Sequence, residues 1–467
     1  MRKTFKNLGM TAMVALGLFT GGCKKELGKD GSGNYDHAKT AGFTNPTQNI
    51  PVNADGVIQD NFDGNASDNI INLSSSSVWL IDGVSYVPSG KTLKIPAGTI
   101  LSSGAFKSYT ATEDGVTITK NIRGVLVVVK GAKLDAQGTE ALPIVFTSPN
   151  APGARAAGDF GGVILLGDAT TNQPSTTVIE GLPTPPSGVD ITYGGSDDTD
   201  DSGTLKYVRI EYPGLVLFAN NEINGLTLGG VGSGTTLDHI QVTYSADDSF
   251  EFFGGKVNAT YLVAAGGDDD DFDFDFGYTG TIQYAVGLKA LNSTHSTSGG
   301  ASDANGIESD NNKTGTLGGT RTLPVLRNFT LLGTETNNSV LKLAARFRRN
   351  TSFDLQNSLL AGYPQGVTTE NSATGTFTNN ALHAFALGGA YAATVDASAL
   401  NYLVFGDGLG TPFYTDHSTA YDVDQLIPDA SSPAAGTPYR GAIQPGILAG
   451  TTWLKNWTVF TTQTKVY

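Results

Sequence analysis

Residues 271–276 read Asp-Phe-Asp-Phe-Asp-Phe, alternating carboxylate and aromatic ring position by position. Side chains alternate faces along a strand, so the run predicts a β-strand with one apolar and one acidic face; a helix would scatter both sets around its circumference. The stretch also repeats. Asp247-Asp248-Ser249-Phe250-Glu251-Phe252 aligns with Asp269-Asp270-Asp271-Phe272-Asp273-Phe274 at a spacing of 272 − 250 = 22 residues. Ile307-Glu308-Ser309-Asp310 follows at 307 − 272 = 35, with the Asn/Ser/Thr/Gly-rich 292–304 as the extra length. One short strand per 20–30 residues is a solenoid signal. Leu226 precedes Phe250 by 250 − 226 = 24, and Leu341 follows Ile307 by 341 − 307 = 34. The pattern therefore predicts an inward column of Leu226, Phe250, Phe272, Ile307 and Leu341. Thr227, Glu251, Asp273, Glu308 and Lys342 form the outward row beside it.

Upstream, 91–100 (KTLKIPAGTI), 124–134 (GVLVVVKGAKL), 143–148 (PIVFTS) and 159–167 (DFGGVILLG) are short β runs separated by Gly turns, with no helix between them. This succession resembles the opening coils of right-handed parallel β-helix proteins, the pectin-lyase-like group, and the resemblance implies an all-β solenoid. It extends over roughly 91–460 and carries no settled activity with it. The expected organisation is a leader (1–22), a polar tether (23–50), an N-terminal cap (51–90), coils (91–385) with a Pro/Gly/Asp-rich excursion at 168–203, and C-terminal coils with a cap (386–467). Trp453 and Trp457 are expected to pack over the last coil. A cap is needed because a bare solenoid end would expose apolar surface and strand edges.

The hydrophobic fraction of 39% is low for a large globular core and suits a solenoid, in which each coil buries only a thin stack. Residues 1–23 carry a basic start, an apolar run too short for a membrane span, and small residues before the single cysteine, Cys23. Thr20-Gly21-Gly22-Cys23 resembles a lipobox, and the resemblance implies a lipid-modified Cys23 and an outer-membrane lipoprotein. Lys24-Lys25-Glu26 resembles the charged start of surface-exposed lipoproteins in the Bacteroidetes. The formal charge is −15, and loss of Arg2, Lys3 and Lys6 with the leader would give −15 − 3 = −18. That balance disfavours nucleic acid and anionic headgroups and favours divalent cations or neutral ligands.

Three functional classes follow. The first is a non-catalytic binding or adhesion module for glycans or envelope components, with Ca²⁺. Its proposed metal residues are Asp247, Asp248, Glu251, Asp269, Asp271, Asp273, Asp275, Glu308 and Asp310, since stacked carboxylates offer oxygen-only ligands. Splayed, solvated carboxylates of raised pKa are the alternative for the same residues. The second class is a polysaccharide lyase or hydrolase; for a lyase the base would come from Arg346, Arg348 or Lys342, and an ion-pair row offsetting the acids is the favoured reading of those residues. The third is an accessory lipoprotein of a TonB-dependent outer-membrane transporter. The tyrosines Tyr212, Tyr244, Tyr261 and Tyr278 are candidates for stacking on sugar rings. The five histidines lie far apart without metal-ligand spacing, and no Gly-x-Ser-x-Gly elbow occurs.

Overall fold

The computed structural model describes residues 43–60, 68–386 and 422–467, apart from 114, 219–220, 292–294, 299–300, 335–336 and 433. The leader, Cys23, most of the tether and the coils expected at 387–421 lie outside the described residues. Nearly every element is a short strand, and among the described residues the one helical element is a 3₁₀ turn, Val423–Leu426. No helix among them is long and apolar enough to cross a membrane.

The strands form a right-handed parallel β-helix. A nine-stranded parallel sheet runs Val84–Val87, Val125–Val128, Gly162–Leu166, Leu226–Gly229, Phe250–Phe253, Phe272–Asp275, Ile307–Ser309, Leu343–Phe347 and Gln365–Thr369. A sixteen-stranded sheet wraps the remaining faces. Its long strands, such as Thr236–Thr243, Asn258–Ala265 and Thr281–Leu288, each bend once in the middle. The bend is a residue in the left-handed region, and these residues stack: Tyr207, His239, Tyr261, Tyr284, Asn328, Asn357 and Asn379, with φ between 49° and 62°. Left-handed backbone is costly for bulky side chains. Ring stacking at 4.4 Å (Tyr207–His239), 4.4 Å (His239–Tyr261) and 5.1 Å (Tyr261–Tyr284) offsets part of that cost.

The inward column is as predicted through Ile307: Leu226 pairs with Phe250, Phe250 with Phe272 and Phe272 with Ile307, all fully buried. Phe250 and Phe272 stack at 5.3 Å, and Phe252 and Phe274 at 5.1 Å. After Ile307 the predicted register fails. Glu308 lies beside Arg346, so the next inward residue is Ala345 and not Leu341.

Two expected caps are also corrected. Residues 51–90, expected as a cap, already contain wall strands: Val78–Ile81 pairs with Ile100–Ser103, Ile70–Asn72 with Thr92–Ile95, and Val84–Val87 with Val125–Val128. Residues 422–467, expected over the last coil, lie along the flank instead. Asn379 Nδ2 donates to Pro438 O at 3.1 Å, Gly441 N to Asn357 O at 2.8 Å, and Gln241 Nε2 to Val459 O at 2.9 Å. Further on, Gly153 N donates to Gln463 O at 2.8 Å and Thr44 N to Tyr467 O at 2.5 Å. The segment thus runs as a strap from late coils back to early ones. Its Ile443, Leu454, Trp457 and Phe460 cover an apolar flank made by Val263, Val286, Leu288 and Leu332.

Candidate functional site: a carboxylate row on the nine-stranded sheet

The outward row of the nine-stranded sheet changes character along its length. In register it runs Tyr86, Val127, Ile164, Thr227, Glu251, Asp273, Glu308, Arg346, Thr368. Apolar positions come first, then a hydroxyl, three carboxylates and a guanidinium. A parallel row begins at Phe253, which pairs with Asp275. Coils stack about 4.8 Å apart, and two unit charges about 5 Å apart repel by roughly 3 kcal/mol at an effective dielectric of 20. The row therefore calls for compensation.

Its C-terminal half has that compensation from arginine. Arg346 contacts Asp303 (2.7 Å), Glu308 (3.2 Å) and Glu370 (3.2 Å). Arg348 binds Asp310 at 2.9 Å and also reaches Glu308, Arg349 binds Asp310 at 2.6 Å, and Lys342 binds Asp303 at 2.6 Å. Glu308 and Asp310, expected as metal ligands, are thus ion-pair partners. Arg346, Arg348 and Lys342, the candidate bases, are engaged by carboxylates, and Lys342 stands outside the row position assigned to it.

Asp271 is a further correction. It sits one residue before its strand and does not follow the alternation. Its side chain is fully buried, 3.2 Å from the fully buried Lys289 Nζ, and accepts from the Tyr363 hydroxyl at 3.4 Å. A Cβ at Gly287 would stand 2.5 Å from Asp271 Oδ2, so the carboxylate occupies space that only glycine leaves open. Burial raises the Asp271 pKa to about 6, with Lys289 acting in the opposite direction.

The preceding turns carry a ladder that the sequence pattern did not reveal. Asn224 Oδ1 accepts from Asp248 N (3.2 Å), Asp248 Oδ1 from Asp270 N (2.8 Å), Asp270 Oδ1 from Asn305 N (2.5 Å) and Asn305 Oδ1 from Leu343 N (3.2 Å). Each side chain fixes the backbone of the next coil. Asn224, Asp248, Asp270 and Asn305 each precede an inward apolar residue by two positions (226 − 224, 250 − 248, 272 − 270, 307 − 305), and that constant offset was the available signal.

Asp247, Asp248, Glu251, Asp269, Asp273 and Asp275 remain. Among the described residues none of the six forms an ion pair with Lys or Arg. Burial first, and neighbouring carboxylates next, push Asp247, Asp248, Glu251, Asp273 and Asp275 well above the ordinary carboxylate range. Burial likewise raises Asp269 to about 7. Oxygens of Asp247, Asp248 and Asp269, and of Asp248, Glu251 and Asp273, converge within 4.8 Å of one another. Two buried oxygens flanking Glu251 in the row, Thr227 Oγ1 and Asp273 Oδ1, have no hydrogen-bond partner among the described residues. An all-oxygen, multi-carboxylate set of this kind could hold a hard divalent cation.

Other candidates are not brought to this row. Tyr212, Tyr244 and Tyr278 are buried, and Tyr261 is held in the corner stack, so none offers a ring face to a sugar. His239 belongs to the same stack, while His295 and His383 are buried. His37 and His417 lie outside the described residues. No curated protein and no solved structure matches this chain. The sequence profile of the pectate-lyase-like beta helix domain matches residues 64–401, well over half of the chain, and the protein belongs to that family.

Proposed function

We propose that the protein is a non-catalytic binding module, held at the cell surface by a lipid on Cys23, in which Ca²⁺ sits among Asp247, Asp248, Glu251, Asp269 and Asp273. Its ligand class is a glycan or another envelope component, for which a long solenoid face offers an extended surface. One contrast along the row supports this reading. Toward the C-terminus Glu308 and Asp310 are matched by Arg, whereas among the described residues the carboxylates around Glu251 have no basic partner and leave Thr227 Oγ1 and Asp273 Oδ1 unbonded. The engagement of Arg346 and Arg348 by carboxylates weighs against the lyase reading, since a general base must be free to reach its proton.

Calorimetric titration of Ca²⁺ into the purified full chain, with a glycan array run with Ca²⁺ and with EDTA, tests this. Calcium binding, calcium-dependent glycan retention and no shortened product are expected. Unsaturated product in the ultraviolet from an acidic polysaccharide would instead favour the lyase. A chain unmodified at Cys23 would remove the anchor from the reading.

A further inference from the structure

The last three strands of the nine-stranded sheet, Ile307–Ser309, Leu343–Phe347 and Gln365–Thr369, are each followed by a turn. The first turn is built on Asn312, whose Oδ1 accepts from Thr314 N at 3.3 Å and from Thr316 N at 3.0 Å, so the side chain stands in for a backbone partner. Gly315, at φ +69°, lets this turn rest on the second one, since a Cβ there would stand only 3.1 Å from the Arg349 backbone. The second turn is tied to both neighbours. Asn350 Nδ2 donates to Gly315 O at 2.6 Å, and Asn350 N donates to Asn371 O, in the third turn, at 2.9 Å. Arg321 fixes it further, donating to Asn350 O and, at 2.9 Å, to Thr351 O.

The three turns enclose an open cavity of about 280 Å³, lined by Lys313, Thr314, Gly315, Arg349, Asn350 and Asn371. The formal charge of the chain is −15, yet two cations and no carboxylate line this cavity. Arg349 reaches Asp310 through Nη1 alone, at 2.6 Å, and Asp310 already accepts from Arg348 at 2.9 Å, so one carboxylate serves two guanidinium groups. Among the described residues Nε and Nη2 of Arg349 have no acceptor. Those two N–H groups share one edge of the guanidinium and form the fork that matches two oxygens of an oxyanion. Lys313 Nζ and the Asn371 side-chain amide likewise have no partner among the described residues, and Arg321 meets no carboxylate among them.

We propose that this cavity binds a tetrahedral oxyanion, the sulfate or phosphate monoester of an anionic ligand. None of its residues belongs to the carboxylate set around Glu251, so the site is independent of the cation reading. A carboxylate offers two oxygens in one plane, which the Arg349 fork alone would satisfy. A monoester offers three oxygens, which matches donors carried by three separate turns: Lys313 on the first, Arg349 on the second and Asn371 on the third. The hydrogen bonds between the turns hold those donors in place before a ligand arrives, which lowers the ordering cost of binding.

Calorimetric titration of inorganic sulfate, inorganic phosphate and acetate into the full chain tests this, in chloride buffer of constant ionic strength with EDTA present. Sulfate or phosphate should bind at one per chain and about tenfold or more tighter than acetate, and the tighter of the two assigns the ester. Lys313→Gln should weaken that binding about tenfold, equivalent to about 1.4 kcal/mol. Lys313 is exposed, so this variant should keep the native melting temperature. Arg349→Lys, which keeps a charge for Asp310 and loses the fork, should weaken binding to a similar degree. The proposal is overturned by no binding of either anion, by acetate binding as tightly, or by native affinity in either variant. Calcium binding around Glu251 is untouched by any of these outcomes.

Discussion

Asp271 and Asp273 are two positions apart in an unbroken alternation, yet they have opposite fates. Asp273 lies within its strand and faces outward beside Glu251. Asp271 precedes the strand, where the turn backbone rotates its side chain into the solenoid against Lys289. Both members of that pair are fully buried, so solvent screening does not weaken it. Removing one charge strands the other: Asp271→Asn should cost about 3–5 kcal/mol, measured by denaturant unfolding, because Lys289 is left as an uncompensated buried ammonium. A loss under about 1 kcal/mol would mean that the Asp269 carbonyl, which Lys289 Nζ also contacts, is enough to hold the charge. The same pair marks a limit of reading faces from alternation, which is valid inside a strand and silent about the residue where the turn ends.

At the scale of elements, the inward Phe column was legible because coils of 22 residues keep it in phase, and the acids beside it followed at no extra assumption. Legibility ended where turns changed length. Between Ser309 and Leu343 the chain spends its residues on a long turn, a strand of the other sheet and a second turn, so counting forward from Ile307 lands on Leu341, two residues before the strand begins. Ala345, the true inward residue, is small and carries no apolar signal of its own. The site was legible from Asp247 to Asp275, because its acids keep the period of the Phe column. The corner residues were visible as a period (261 − 239 = 22, 284 − 261 = 23), but their left-handed backbone was not. The strap was read as a cap because apolar side chains near the C-terminus state that something is covered and leave open which surface. Trp457 anchors it, fully buried against Tyr207 (5.8 Å) and His239 (5.5 Å). Trp457→Ala should cost about 3–5 kcal/mol and make 438–467 the first segment to exchange amide hydrogens, read by native-state exchange with mass spectrometry. Uniform exchange along the chain would show that the strap is held mainly by its hydrogen bonds.

For the whole molecule, the carboxylates set how stability varies with pH. Their folded pKa values lie above the ordinary range, with Asp269 at about 7 and Glu308 at about 8. Raised carboxylate pKa values stabilise the fold below the unfolded value near 4, and that contribution is lost as pH rises through the folded values. In EDTA the melting temperature should therefore fall between about pH 5 and pH 8.5. Added Ca²⁺ should recover it most at the alkaline end, where the ligands are deprotonated. A melting temperature that stays flat or rises over that range in EDTA would contradict the burial of these acids as the source of their raised pKa values.

The hydrogen bond from Thr44 N to Tyr467 O has a mechanical consequence. A stacked coil protein pulled from its two poles unzips one coil at a time, each coil failing in turn. Here the strap brings residue 467 back to residue 44, so tension applied between those two points follows a short path at one pole. The rest of the column carries no load.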